Sequence, residues 1–234
     1  NNREKVPFVV SDRVRELYEK KIIPFWQGQS MRDMIFQEVS DEWKAAYSAG
    51  IFTEFMEQRA PGHTVLGHKI YRQGFLDLKA EIEKSSQSLD YLNDPEAWDK
   101  YEELKAMSIC ADAIIRFADR HAEKAREIAE HETDPDRRKE LEKIADVCSR
   151  VPKYAPRDFW EALQAYWFVH LGVITELNTW DSFSPGRLDQ HLYPFYKKGL
   201  EDGTLSPEKA KELLESFWVK FNNHPAPPKV GVTA

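Results

Sequence analysis

The sequence predicts a chain built mainly of α-helices. Apolar residues recur at helical spacing through most of the 234 residues, and Ser or Asp stands where several of these stretches begin. One further stretch is apolar on nearly every side, as expected for a helix at the centre of a core. Hydrophobic residues make up 41% of the chain and aromatic residues 12%, which is enough for a substantial core. The chain is therefore predicted to be folded and globular.

The first helices begin at recognisable caps. Ser11 precedes a helical repeat that we expect to end at Ile22-Ile23-Pro24. Ser30 and Asp33 resemble a capping box, so a second helix should begin there.

The next segments alternate between helices and loops. Residues 43–56 continue as a helix with a break near Gly50, and residues 60–62 form a loop because proline and glycine together defeat a helix. Residues 70–82 are predicted to be helical again, and residues 85–95 to be a polar linker.

The second half carries the longest helical signals. Residues 98–132 place apolar side chains on one stripe and charged ones on the other, which predicts a long surface helix. Asp134 and Pro135 cap a helix that should stop before Pro152. Two more helices are predicted, at 159–174, which is apolar nearly all round, and at 206–221.

Charge and hydropathy exclude several classes of protein. The net charge of −7 offers no basic footprint for nucleic acid or anionic membranes. No apolar run approaches the roughly 20 residues that span a bilayer, and the polar start lacks a secretory signal. We therefore expect a cytoplasmic protein.

The two cysteines, Cys110 and Cys148, fall within helical patterns. Core packing is their expected role, and neither a disulfide nor a thiolate metal site is supported. The apolar run at 230–234 looks like a strand cut from its sheet, so the chain is expected to be part of a longer polypeptide.

Two polar turns carry the side chains best suited to chemistry. Arg59 and His63 flank the rigid Ala60-Pro61-Gly62 turn, where both side chains can point at one small ligand. The structural alternative is that Arg59 pairs with a carboxylate and His63 caps the next segment. In the second turn, Trp180-Asp181-Ser182, Asp181 either accepts hydrogen bonds from a ligand or serves as an ordinary turn residue.

Two other polar groups have mainly structural interpretations. Arg72 is expected to form a structural salt bridge. A dense polar and aromatic run is interpreted as scaffold, because buried polar groups need partners whether or not they touch a ligand. It comprises Arg187, Asp189, Gln190, Tyr193 and Tyr196.

Residues 172–196 and 57–63 together resemble the pyruvate formate-lyase and glycerol dehydratase superfamily of glycyl radical enzymes. The resemblance reaches from Val14 to Ala234. It implies that this mainly α chain is the helical N-terminal portion of a ten-stranded α/β barrel. Residues 1–234 would then be an incomplete part of one domain, without its catalytic cysteine loop and its glycyl radical domain.

The resemblance also implies cofactors, partners and site residues. The glycyl radical would lie outside this sequence and be installed by an activase that uses S-adenosylmethionine and an iron-sulfur cluster. No metal would be bound by this chain, and a homodimer is expected. His63 matches a histidine that bonds a substrate hydroxyl, Asp181 faces the pocket beside Trp180 and Ser182, and Arg59 matches a position that holds an anionic head group.

The function implied is radical elimination of water or sulfite from a small hydroxylated substrate. A diol, isethionate and dihydroxypropanesulfonate are the candidates, and the fragment alone would be inactive. The enzymatic alternative is a formate acetyltransferase or decarboxylase, which Asp181 disfavours because it would oppose a substrate carboxylate.

Two non-family alternatives are a helical protein-binding scaffold and a metal-binding helical bundle. The bundle lacks support because no Glu stands three residues before a His and no His-Glu-x-x-His occurs.

Overall fold

The structure, a computed structural model, describes residues 10–52, 66–176 and 185–223. Within these ranges the regular elements are helices, and no β-strand is present. The mainly α expectation is therefore confirmed. The chain divides into two compact units, Asn1–Gln58 and Arg59–Ala234, while the expectation that residues 1–234 belong to one larger domain stays a prediction.

The first unit consists of short helices with side-chain caps. The Ser11 hydroxyl accepts a hydrogen bond from the Val14 amide at 3.3 Å, and Ser30 accepts one from the Asp33 amide at 3.1 Å, so both predicted starts are confirmed. The elements are α1 (Asp12–Leu17), a π-helical turn (Tyr18–Ile22), α2 (Ile23–Trp26), α3 (Met31–Glu38) and α4 (Asp41–Ser48).

Pro24 does not end the first helix, which is a correction to the sequence analysis. The backbone passes through the π-helical turn and continues as α2 to Trp26. Pro24 lies in the first turn of α2, directly after the π-helical turn, so the missing proline N–H falls where the regular α-helical hydrogen bonding is already interrupted. The break near Gly50 is confirmed, since α4 ends at Ser48 and Gly50 has a positive φ of 73°.

The second unit contains the longer helices. They are a 3-10 turn (Lys69–Tyr71), α5 (Phe75–Gln87), α6 (Ala97–His131), α7 (Pro135–Arg150), α8 (Phe159–Glu176), α9 (Leu188–Glu201) and α10 (Pro207–Asn223). The predicted helices at 98–132, 135–150, 159–174 and 206–221 are therefore present.

Helix α5 begins later than the sequence predicts. Gly74 interrupts the predicted helix at 70–82, because its backbone lies against the loop after α7 and its N–H donates to the Asp77 carboxylate at 2.9 Å. The amide of Phe75 donates to the Pro152 carbonyl at 2.9 Å. A free backbone donor of the first helical turn is thus satisfied by a distant loop.

Helix α6 runs unbroken for 35 residues and packs on α5, α7 and α8. Its buried face is lined by small side chains, which let neighbouring helices approach: Ala111, Ala118, Ala122, Ala125 and Ala129. The sequence places Ile128 on the apolar stripe and Cys110 in the core, and both expectations are wrong, because Ile128 is 43% exposed and Cys110 is exposed. Both lie off the alanine face, so the core-packing role is confirmed for Cys148 alone.

Helix α8 is the central element of the second unit, as its apolar sequence predicts. It contacts α6, α7, α9, α10 and the 3-10 turn. Its start is tied to α7 by Glu161, which is only 1% exposed and accepts from Arg157 Nη2 at 2.6 Å and Arg150 Nε at 3.2 Å. Burial alone would raise the pKa of Glu161, but these bonds and charges outweigh it and lower the pKa.

Helix α9 is not predicted from the sequence, in which residues 187–196 are interpreted as a dense polar and aromatic run. Leu188 and Leu192 are buried one helical turn apart, and Gly199 approaches Leu205 closely. Pro194 lies inside the helix. The polar residues that drew attention lie on the other faces of an amphipathic helix.

Candidate functional site

Three elements of the second unit meet around the ring of Tyr71. The 3-10 turn that carries Tyr71 contacts α8, and the Tyr71 ring stacks on His191 of α9 with centroids 5.0 Å apart and planes 20° apart. Phe195, one turn further along α9, lies 6.4 Å from the same ring. Tyr71 is 7% exposed, so its ring is part of the core.

The Tyr71 hydroxyl is buried and has no hydrogen-bond partner among the described residues. Burial raises the pKa of this phenol, so it is un-ionised at neutral pH. Tyr166 belongs to the same buried cluster as Tyr71, and its pKa is raised by burial and, to a smaller extent, by Tyr71. A buried hydroxyl without a partner is costly, and in native proteins it usually meets a water or another polar group.

His170 extends this polar region along α8. Its Nδ1 lies 3.4 Å from the Tyr166 hydroxyl. Its ring packs against the rings of Trp167 and Phe221, with centroid distances of 5.2 and 4.6 Å. Burial lowers the pKa of His170 to about 4, so the imidazole is neutral at pH 7. In that state it offers one donor and one acceptor.

His191 lies in a mainly positive environment on the outer side of Tyr71. Burial lowers its pKa, and the charges of His68, Arg187 and Arg72 lower it further, while Asp189 opposes them. The imidazole is therefore held neutral at the point where it stacks on the tyrosine. Arg72, which is predicted from the sequence to form a salt bridge, is exposed, and its charge is one of those that lower the pKa of His191.

The predicted substrate-binding residues lie outside the described residues. Arg59 and His63 fall within residues 53–65, and Trp180, Asp181 and Ser182 fall within residues 177–184. Their proposed roles stay predictions.

The structure does describe the elements that follow both of these segments. After residue 65 the chain enters a turn in which Leu66 and Gly67 have φ of 64° and 52°, and it then forms the 3-10 turn with Tyr71. After residue 184 it passes Gly186, with φ of 66°, and enters α9 with His191. The elements downstream of the two polar segments are thus in direct contact through the stacked rings.

Tyr71, His170 and His191 were not singled out from the sequence. A lone histidine in the apolar α8 was a usable signal for a buried polar group, since buried polar side chains need partners. The Tyr71–His191 stack had no comparable signal, because 120 positions of chain separate the two rings.

Neither a metal site nor a membrane-spanning helix is supported by the described residues. They contain no group of three or more His, Cys, Asp or Glu side chains placed to hold a metal ion. No helix in the described ranges is long and apolar enough to cross a membrane.

Comparison with known proteins identifies the family. The chain matches the pyruvate formate lyase-like family over residues 1–234. It belongs to this family. A crystal structure of a glycyl radical enzyme from Archaeoglobus fulgidus superimposes with a TM-score of 0.71 at 32% identity, covering 94% of this chain and 28% of that one. The predicted resemblance to glycyl radical enzymes is confirmed. The prediction that this chain is the helical N-terminal portion of their fold is also confirmed.

Among curated relatives, trans-4-hydroxy-L-proline dehydratase from Clostridioides difficile is 54% identical over 233 residues, all of this chain and 30% of that protein. Isethionate sulfite-lyase from Oleidesulfovibrio alaskensis is 36% identical over 227 residues, 93% of this chain and 27% of that protein. The chain therefore spans about 30% of the length of the curated relatives that it matches.

One solved structure is similar over nearly the whole chain. It is hydroxyproline dehydratase from Clostridioides difficile with trans-4-hydroxy-L-proline bound. It superimposes with a TM-score of 0.80 at 55% identity and covers 99% of this chain and 29% of that one.

Proposed function

We propose that the complete protein is a glycyl radical dehydratase that removes water from a small hydroxylated substrate, and that trans-4-hydroxy-L-proline is this substrate. The observation that carries the proposal is the 54% identity to trans-4-hydroxy-L-proline dehydratase over the whole chain, against 36% for an isethionate sulfite-lyase. A cyclic hydroxy amino acid thus replaces the diols and sulfonates that the sequence analysis favoured.

The charges of the substrate fit the predicted polar residues. The sequence analysis argued that Asp181 would oppose a substrate carboxylate, but hydroxyproline also carries a ring ammonium and a hydroxyl. Both of these groups donate hydrogen bonds that a carboxylate accepts. Arg59 is suited to the substrate carboxylate and His63 to the hydroxyl, so the three side chains match three different groups of one molecule.

In this proposal the glycyl radical, installed by an S-adenosylmethionine and iron-sulfur activase, supplies the initial removal of a hydrogen atom. The side chains of this chain bind and orient the substrate. His63 hydrogen-bonds the hydroxyl that leaves as water, and Asp181 fixes the ring ammonium. Groups held in place in a site from which water is excluded stabilise developing charge more strongly than they would in water. We also propose that the complete protein is a homodimer.

The test is a substrate panel with the complete, activated protein under anaerobic conditions. Radical content is measured by electron paramagnetic resonance, and products are measured for trans-4-hydroxy-L-proline, 1,2-propanediol, glycerol and isethionate. We expect hydroxyproline to lose one water with the highest kcat/KM. Faster release of sulfite from isethionate, or faster loss of water from a diol, would overturn the assignment.

The two predicted binding residues are tested with matched variants. His63→Ala and Asp181→Ala should each lower kcat/KM by roughly 100-fold, because each leaves a substrate group without its partner. His131→Ala and Asp146→Ala remove the same side chains from exposed helix positions and should leave turnover unchanged. Wild-type kinetics in both His63→Ala and Asp181→Ala would remove these residues from the site.

A further inference from the structure

The contact between Tyr71 and His191 joins two parts of the chain that lie 120 positions apart, a 3-10 turn and helix α9. Tyr71 belongs to the three-residue turn Lys69–Tyr71, which is too short to be stable by itself and also contacts α8. His191 belongs to the first turns of α9, whose apolar residues Leu188 and Leu192 are buried. The stack therefore attaches a short, locally weak element to a well-packed helix.

The backbone before each ring is conformationally constrained. Leu66 adopts the left-handed region with φ of 64°, which is uncommon for a residue with a branched side chain, and the next residue is also left-handed. Its carbonyl accepts from the Lys69 amide at 3.0 Å, and the His68 carbonyl accepts from the Tyr71 amide at 3.2 Å. The chain from Leu66 to Tyr71 is thus a tight hydrogen-bonded turn.

The backbone that leads to His191 also has a main-chain hydrogen bond and a left-handed residue. The Arg187 carbonyl accepts from the His191 amide at 2.9 Å, so His191 lies one helical turn after the start of α9. Gly186, directly before that start, has a left-handed φ of 66°. The chain thus reaches His191 through a left-handed glycine and the first turn of α9.

We propose that Tyr71 and His191 are positioning residues, whose stacked rings set the spacing between the 3-10 turn and α9. This inference rests on the proposed function in one respect: it assigns the spacing a role in substrate binding, because both elements directly follow the predicted binding segments. Phe195, on the next turn of α9, lies with its ring centroid 6.4 Å from that of Tyr71 and its plane tilted by 52°. The contact acts through ring packing, so an aromatic ring, and not the imidazole nitrogen atoms, is the required feature.

The decisive variants separate ring packing from other roles of the histidine. His191→Ala removes the stack, whereas His191→Phe keeps an aromatic ring on Tyr71. His121→Ala is the matched control, because His121 also packs against an aromatic ring, Phe117, at 4.5 Å, but lies on α6. All three are made in the complete protein.

The first measurement does not depend on any substrate. Backbone hydrogen–deuterium exchange is followed in peptides covering residues 66–74 and 185–196. We expect His191→Ala to accelerate exchange in both peptides, roughly tenfold or more, because both elements lose the ring contact that holds them together. His191→Phe and His121→Ala should leave both peptides as in the wild type. Acceleration confined to residues 185–196 would overturn the proposed contact.

The second measurement addresses the role in binding. In activated enzyme with wild-type radical content, His191→Ala should raise KM and lower kcat/KM by roughly tenfold or more, and His191→Phe should restore both. Unchanged KM together with accelerated exchange in both peptides would show that the contact exists but does not position the site, which overturns the positioning role. If the wild type turns over isethionate or a diol instead of hydroxyproline, the proposed substrate fails, and KM for the accepted substrate tests the same prediction.

Discussion

His170 is a buried base whose charge state the fold controls. It is 5% exposed and packed among aromatic rings on α8 and α10, and the pKa of about 4 reflects that burial. The groups that face it are Tyr166, Trp167 and Phe221, none of which carries charge at neutral pH. Protonation of His170 would therefore place an uncompensated charge in the core.

This arrangement predicts acid sensitivity of the fold. The pKa of His170 in the folded chain, about 4, lies below the ordinary value of 6.5. As the pH falls below 6.5, the unfolded chain therefore binds a proton at His170 that the folded chain does not bind. The contribution of His170 to the free energy of unfolding should fall by about 2 kcal/mol between pH 7 and pH 5. His170→Phe should lack this component, which chemical denaturation at both pH values measures.

The control for this experiment is His131→Phe, a change at an exposed position of α6. It should show the same loss of stability on acidification as the wild type. Equal pH dependence in the wild type and His170→Phe would contradict a neutral, buried His170.

At the scale of elements, the start of α5 depends on the absence of a side chain. Gly74 lies so close to the backbone of Lys153 and Tyr154 that an added Cβ would overlap both residues. This close contact between the two backbones also allows the Leu76 N–H to donate a hydrogen bond to the Lys153 carbonyl at 3.1 Å. One glycine thus allows the first turn of α5 to pair with the loop that follows α7.

Gly74→Ala should therefore destabilise the fold by about 2 to 3 kcal/mol, because backbone atoms have to move to admit the methyl group. Gly203→Ala is the matched control: Gly203 has φ of 72° and nothing within 4 Å of the added Cβ, so only conformational strain of about 1 kcal/mol is expected. The free energies of unfolding of the two variants are compared by denaturant titration. A Gly74→Ala variant no less stable than Gly203→Ala would show that the contact is absent.

At the scale of the whole molecule, the positions of the two cysteines bear on what this chain can do by itself. Both cysteines of the chain lie on helices, Cys110 exposed on α6 and Cys148 buried on α7, where burial raises the pKa of the thiol to about 11. Neither lies in a loop, as the resemblance requires of a cysteine that takes part in radical chemistry.

We therefore predict that the 234-residue chain by itself shows no turnover. After incubation with an activase of the family, hydroxyproline, diols and isethionate should all remain unchanged, while the complete protein under the same conditions acts on one of them. Product formed by this chain alone would contradict the prediction. Product measurement by mass spectrometry, with radical content recorded in parallel, distinguishes a lack of activation from a lack of turnover.

Local patterns were sufficient to predict most of the helices. Caps at Ser11, Ser30 and Asp134 and the apolar character of α8 are properties of neighbouring residues, so they can be read without knowing the fold. Helix α9 shows the limit of this approach: its apolar spacing was present, but a dense polar face and Pro194 obscured it.

The sequence by itself determined the helical class, the family resemblance and the two polar segments as candidates for binding, because each depends on short-range pattern or on shared motifs. The tertiary structure alone decided that α5 begins at Phe75, that Cys110 is exposed, and that Tyr71 meets His191. These features depend on atoms that are far apart in the chain and approach only when the helices pack. Contacts of that kind follow from the free energy of the whole fold, which no local pattern encodes.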